Sequence, residues 1–270
     1  MFFKTVKEGK GGENMYHKIT ICLILLLVCS SNLVSAAPKI EEILAEIDQI
    51  TELNTDGTAK VEITQKKAEQ GIKQYKSIYY RRDEDDAFLI IMTAPEVEKG
   101  NGYLRKDDNF WMYRRNTRTF QHINRDENIA GTDSTGEDFE NKKLLEMYRP
   151  VVDDSKQEKI SAEKLGSLAV YKFAVEAKIE DVSYPKKVYW VRKDNYLPLK
   201  TQSYSLNGTL MQTSYFLKYT KIKAKYLWVK GLFIDEFEKG NKTVVEIQNI
   251  SLKEIADHVF TKAYLENLSK

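Results

Sequence analysis

The side chains able to do chemistry are few. Beyond the first 36 residues the chain has two histidines, His122 and His258, and no cysteine. A zinc site needs three or four convergent ligands, and neither histidine has a second His or a Cys nearby, so each reads as a packed or surface residue. No G-x-S-x-G elbow is present, and no nucleophile sits beside a base. Gly100-x-Gly102 lacks the third glycine and following helix of a dinucleotide loop. Asp133-Ser134-Thr135-Gly136 starts like an aspartic-protease turn, but Thr135 stands where the glycine should be and there is no second copy. "RRDEDDAF" (Arg81 to Phe88) offers four carboxylates, either a calcium site or a solvated turn. It lacks EF-hand spacing and reads as the turn. The sequons at Asn207 and Asn241 read first as turn chemistry. The expectation is therefore no catalytic residue, no metal and no cofactor: not an enzyme.

Against these negatives stands a surplus of aromatics, with 16 Tyr, 11 Phe and 3 Trp. They lie largely in the β segments, among them "GNGYLRKDDNFWMYRRNTRTFQHI", Gly100 to Ile123, where arginines and lysines interleave with them. Three uses fit that mixture: a nucleic-acid surface, a catalytic loop, or strands with one apolar face. Charge decides against the first. The opening residues form a secretory leader, with an apolar run from Ile19 to Val28, then small residues, and Val34-Ser35-Ala36 before the expected cleavage. That run is too short to span a membrane. Met15 is a candidate true start, because the stretch before it is a poor n-region. Four lysines and two glutamates leave with residues 1–36, taking 42 basic and 40 acidic residues to 38 of each. A balance near zero argues against a nucleic-acid partner. Cys22 and Cys29 also lie in the leader, so disulfides are excluded from 37–270. Leu26-Leu27-Val28-Cys29 loosely resembles a lipobox, and cleavage there would leave a protein lipid-anchored through Cys29.

The elements that must position the aromatics are mostly strands. Lys39 to Leu53 predicts a helix, with Ile40, Ile43, Leu44, Ile47 and Ile50 on one face. From Ala59 the period is two. Phe88 to Met92 is a continuous apolar run, as in a strand covered on both sides. Tyr103–Lys106, Phe110–Arg114 and Thr119–Asn124 form a meander, with Trp111 and Tyr113 on one face and Phe110, Met112 and Arg114 on the other. Ser134 and Glu137 match a capping box before a short helix through Phe139, Leu144, Leu145 and Tyr148, which Pro150 follows. In the second half Ala169, Tyr171, Phe173, Val175 and Ala177 share a face. Pro198 marks an edge or bulge, Asn207-Gly208 a hairpin, and a helix starts near Thr261. The expected fold is mainly β (α+β), one antiparallel sheet with few helices over a single domain, 37–270. A sheet this large tends to curl, so the aromatics fill either a plain core or a cavity.

Several motifs together resemble the bacterial outer-membrane lipoprotein-sorting protein family: "EKGNGYLRKDDNFWMYRRNTRTFQHI", "IAGTDSTGEDFENKKLL", "VYWVRKDNYLPLKTQSYSLNGTL", "GNKTVVEIQNI" and "FTKAYLENL". The chain departs from that pattern at Arg114-Arg115-Asn116, where proline is usual, and at Asp133-Ser134-Thr135, where "SDF" is usual. The family's arginine latch has no counterpart in a matching motif. The resemblance implies a LolA/LolB-like half-barrel, a curved antiparallel sheet wrapped over a few plug helices, enclosing an apolar cavity. It implies a periplasmic, monomeric carrier of lipoprotein acyl chains or other lipids, acting between an inner-membrane donor complex and an outer-membrane acceptor. On that fold the expected cavity lining is Phe88, Ile90, Trp111, Tyr113, Leu144, Leu145, Tyr171, Phe173 and Trp190, with the arginines on turns and the outer face. Two alternatives stand beside the carrier: a lipid-anchored structural or interaction lipoprotein of the same fold, and a lipid hydrolase, the weakest of the three.

Overall fold

The computed structural model describes Met1 and residues 37–124, 127, 129, 143–180 and 182–268. The chain divides into Met1–Ala37 and Pro38–Lys270, and the second unit is the subject below. Residues 2–36 with Cys22 and Cys29, the Ser134–Glu137 box and Phe139 lie outside the described residues.

Helix α1 (Ile40–Thr51) forms where the 3.6-residue period predicts it, burying Ile40, Ile43, Leu44 and Ile47. The first meander comprises β1 (Asp56–Lys67), β2 (Gly71–Arg82), β3 (Ala87–Ala94), β4 (Gly102–Lys106), β5 (Asn109–Arg114) and β6 (Thr119–His122). Helix α2 (Leu144–Met147) and β7 (Tyr148–Pro150) lead into β8 (Ile160–Leu165), β9 (Leu168–Ala177), β10 (Lys186–Arg192), β11 (Pro198–Tyr204), β12 (Leu210–Ile222), β13 (Lys225–Asp235) and β14 (Lys242–Ser251). A 3-10 turn (Asp257–Phe260) and α3 (Lys262–Leu268) follow. The helix expected up to Tyr148 is shorter, because Tyr148 already pairs with Ala177 as a strand residue.

The strands make one open, antiparallel sheet of 14, in the order β6-β5-β4-β3-β2-β1-β14-β13-β12-β11-β10-β9-β7, with β8 also on β9. The first and last long strands meet at its middle, where Val61 faces Ile247 and Ile63 faces Val245. Register shifts in β1, β10, β11, β12 and β13 bend the strands, and bends of this kind add twist and let a sheet curl. Pro198 opens β11 inside the sheet at one of these shifts, opposite Val191. A residue without an N–H is tolerated there.

Period two splits the sheet into faces that are both covered. On the inner face of the first meander Val61, Ile63, Tyr75, Phe88, Ile90, Met92, Phe110 and Val245 form one core. Under α1 the inner face of the other wing packs Tyr148, Phe173, Val175, Tyr189 and Val191 against Ile40, Ile43, Leu44 and Ile47. On the outer face of β3–β5 the C-terminal segment supplies Ile255, Val259, Phe260 and Leu265 to a third core with Leu89, Leu104 and Tyr113. Hence β3 is apolar at every position from Ala87 to Met92. Close approach of α3 requires Gly102, because a Cβ there would lie 2.8 Å from the Ile90 carbonyl oxygen and press on Leu265.

The C-terminal segment is pinned by ions. Arg82 Nε and Nη2 donate to the two Asp56 carboxylate oxygens at 3.0 Å each, and its Nη1 donates to Asp257 at 2.6 Å. The Ile255 N–H donates to Asp56 at 2.6 Å, and the guanidinium lies 5.0 Å from the Phe260 ring centroid. Burial pushes the Asp56 carboxyl up, but Arg82 and the Ile255 N–H outweigh it and hold the group below 3.8. A carboxyl depressed on folding stabilises above its unfolded value, and that contribution is lost as pH falls through the folded value. Arg82→Ala is expected to cost about 2–3 kcal/mol at pH 7. In urea melts the gap between wild type and variant should narrow as pH drops below 3.8; a gap that widens in acid would refute the assignment.

Candidate functional site

The inner face is not filled everywhere. Between the α1–α2 wall and strands β10–β13 lies a chamber of about 330 Å³, lined by Asp48, Leu144, Tyr189, Thr201, Ser203, Gln212, Ser214, Phe216 and Tyr219, among others. A second chamber of about 90 Å³ lies at the β1–β14 seam and is lined chiefly by apolar side chains, including Val61, Tyr79, Val245 and Ile247. Arg81, Leu227, Trp228 and Phe233 line both. The two spaces therefore adjoin across an aromatic partition. Trp228 stands 6.0 Å from Phe233 and 6.1 Å from Phe216, ring centre to ring centre, and Phe216 stands 6.4 Å from Tyr219.

Backbone irregularity builds this partition. Phe216 and Tyr219 are three apart, a spacing that places them on opposite faces of a regular strand. Register shifts on both sides of Lys218 re-phase β12, so that both rings line the chamber. Across the sheet Gly231 leaves space between the rings of Trp228 and Phe233, where a Cβ would stand 3.4 Å from the Trp228 edge and 3.0 Å from the Phe233 edge. The Tyr219 hydroxyl donates to the Pro198 carbonyl at 2.7 Å, and burial raises its pKa.

Asp48, Glu52, Arg81, Lys143 and Lys187 bring charge to the larger chamber. Arg81 pairs with the buried Asp83. Burial works against its charge, but Tyr79, Asp83 and Asp86 hold the guanidinium above its ordinary value. Burial also pushes the Tyr79 and Tyr189 hydroxyls up to about 12. Lys187 sits 5.1 Å above the Tyr148 ring centre. Asp48 closes the wall, with its oxygens accepting the Leu144 and Leu145 N–H groups at 2.9 and 3.2 Å. That bond pair joins α1 to α2 across more than ninety residues of chain.

The expected lining residues fall into three groups. Leu144 lines the larger chamber. Phe88, Ile90, Tyr171, Phe173 and Leu145 belong to the inner-face cores, where neighbouring side chains pack them in. Trp111, Tyr113 and Trp190 correct the expectation, since they lie on the outer face. Tyr113 is buried with Leu265 and Phe260, and Trp111 packs beside it under Lys262, whose Nζ is 4.1 Å from the indole centre. Trp190 is flanked by Lys172 and Lys200, at 5.2 and 4.4 Å. On β5 it is Phe110 and Met112 that face inward. Arg114, Arg115 and Arg118 are exposed as expected, but Arg105 is buried and bonds Asp86 at 2.8 Å. Both His122 and His258 are exposed. Among the described residues no group of His, Cys, Asp and Glu could hold a metal, and no helix is long and apolar enough to cross a membrane. The sequence reading missed Trp228, Phe233, Phe216 and the Thr201–Ser214 region. No signal within a single strand could have found them, because their placement follows from the register of paired strands.

Comparison with known proteins follows from this architecture. A family model described as an uncharacterized protein matches residues 84–267. A search of curated proteins finds no match. Among solved structures, a LolA superfamily protein from Nitrosomonas europaea is 19% identical, with a TM-score of 0.70 over 84% of this chain and 100% of that one. An outer membrane lipoprotein-sorting protein domain from Vibrio parahaemolyticus is 20% identical, with a TM-score of 0.71 over 83% and 97%. A DUF1329 family protein from Desulfovibrio piger is 19% identical, with a TM-score of 0.73 over 83% and 96%. At this identity the likeness is one of fold.

Burial raises the Asp48 carboxyl above 3.8, and the Leu144 and Leu145 N–H groups oppose that rise only in part. The folded state therefore holds this proton more tightly, and the carboxylate's contribution turns unfavourable as pH rises above 3.8 through the folded value. Asp48→Ala leaves two N–H groups without their acceptor and should cost about 1–2 kcal/mol in thermal melts at pH 7. Asp48→Asn should cost less, because it keeps one acceptor and removes the buried charge. Equal losses for the two variants would show that the wall does not depend on these bonds.

Proposed function

The chain belongs to this family of uncharacterized proteins and has the LolA-like fold, and on that premise we propose that it is a periplasmic carrier. It binds the acyl chains of lipoproteins or other lipids within the sheet and passes them towards the outer membrane, without catalysis. The observation that carries this reading is the apolar chamber at the β1–β14 seam, which adjoins a larger one beneath α1 and α2. An internal space walled by Val61, Tyr79, Trp228, Phe233, Val245 and Ile247 suits a flexible hydrocarbon chain. Binding gains roughly 0.8 kcal/mol for each CH₂ withdrawn from water. The lipoprotein-sorting description of the Vibrio parahaemolyticus structure supports the same cargo class. The carrier acts as a monomer between an inner-membrane donor complex and an outer-membrane acceptor.

Tryptophan emission tests this directly. Of the three tryptophans, Trp228 lines the chambers, whereas Trp111 and Trp190 pack under lysines on the outer face. A brominated fatty acid should quench a variant that retains only Trp228 and leave variants retaining only Trp111 or only Trp190 unchanged. Lipid extracted from the protein purified from the periplasm should give acyl-chain masses. No quenching at saturating lipid, together with no extracted lipid, would overturn the carrier reading.

A further inference from the structure

The wall of the larger chamber contains a polar patch that an acyl chain alone would leave unsatisfied. Thr201 lies opposite Ser214 and Ser203 opposite Gln212 on adjacent strands, so four uncharged polar side chains form one block on the inner face, all of them lining the chamber. Thr201 is 7% exposed, Ser203 3% and Ser214 4%. Ser214 Oγ and Gln212 Oε1 satisfy one another at 3.0 Å. The hydroxyls of Thr201 and Ser203 have no hydrogen-bond partner among the described residues. Both oxygens open onto the chamber, where water or a ligand's polar atoms can reach them.

The flanking residues define what fits. In register with Thr201 and Ser214 stand Tyr189 on one side and Phe233 on the other. In register with Ser203 and Gln212 stand Lys187 and Asp235. These last two are engaged elsewhere, Lys187 over the Tyr148 and Tyr184 rings and Asp235 accepting the Phe237 and Glu238 N–H groups. The four side chains of the patch thus offer donors and acceptors but no charge of their own, and the nearest ammonium, that of Lys187, lies over the Tyr148 and Tyr184 rings. An ionised headgroup held by the patch itself would be desolvated without a charged partner among these four. A bare hydrocarbon would strip water from the hydroxyls and return nothing.

We propose that the Thr201–Ser203–Gln212–Ser214 patch is a headgroup subsite for an uncharged, ester- and hydroxyl-bearing glyceride, with the acyl chain running past Trp228 and Phe233 into the apolar chamber. This inference rests on the carrier reading and adds to it the class of amphiphile preferred.

The test is displacement of a fluorescent fatty acid from the purified protein by monolauroylglycerol and by laurate, which have equal acyl chains. Wild type should need about tenfold less monolauroylglycerol than laurate, the effect expected of two modest hydrogen bonds. Thr201→Val with Ser203→Ala should bring the two within about threefold, because monolauroylglycerol loses its partners while laurate displaces at no higher concentration than before. If the double variant melts early, Thr201→Val alone, which keeps side-chain volume, should shift the ratio in the same direction. Displacement by both lipids at equal concentration in wild type, or a ratio that survives both variants, overturns the headgroup subsite and leaves the carrier reading intact. Failure of both lipids to bind would instead overturn the carrier reading itself.

Discussion

Everything in this molecule depends on the pairing of β1 with β14. Without it the chain would form two separate meanders, each presenting an open edge and one bare apolar face. With it, Val61 and Ile63 meet Ile247 and Val245, both edges vanish, and a single sheet of 14 strands becomes wide enough to curl. The pairing joins residues nearly the whole described length apart, so its loop-closure entropy must be met by contacts that form only when both halves are in place. Those contacts are visible on both faces. Phe233 and Val245 enter the inner core of the first meander. The chain leaving β14 returns across the outer face, where Asp56 and Arg82 fasten Ile255 and Asp257. The apolar chamber lies along the same seam.

The wide sheet then has to cover two faces with few helices. On one wing the covering is α1, and on the other it is the C-terminal segment, but on opposite sides of the sheet. The inner surface between α1 and the first meander's core is therefore only partly filled, and that unfilled stretch is the cavity. Its aromatic partition occupies positions that a regular strand would not bring together. The same irregularities that curl the sheet thus decide which side chains see the interior.

How much of this was legible in the sequence follows from the same physics. Helix α1 was legible because five apolar residues repeat at helical spacing, and the continuous run from Phe88 to Met92 correctly signalled a strand covered on both sides. Alternation also separated Phe110 and Met112 from Trp111 and Tyr113. It did not say which pair faces inward, because both faces of β5 are apolar and the outer cover comes from residues 255–265, far away in the chain. Trp190 misled for a related reason. On the outer face its ring lies beneath the ammonium groups of Lys172 and Lys200, cation–π partners from neighbouring strands that the sequence of β10 alone does not reveal. The cavity lining on β12 and β13 was illegible because a register shift is a property of two strands together. The polar block of Thr201 and Ser214, paired across β11 and β12, was passed over because each residue alone looks like an ordinary surface position.

That mixed lining bears on how a carrier can both hold and release. Burying a sixteen-carbon chain completely would be worth at most about 13 kcal/mol, roughly nanomolar binding, and a protein built only of hydrocarbon walls would approach that limit. Here the larger chamber is walled in part by hydroxyls, an amide and the Asp48 carboxylate, and a chain lying against them displaces water from groups that it does not satisfy. Each such contact subtracts from the apolar gain. On the proposed carrier reading, affinity would be set less by the size of the space than by how far the ligand's polar atoms meet Thr201 and Ser203, so matching cargo would be retained and cargo offering only a chain would be held loosely enough to leave.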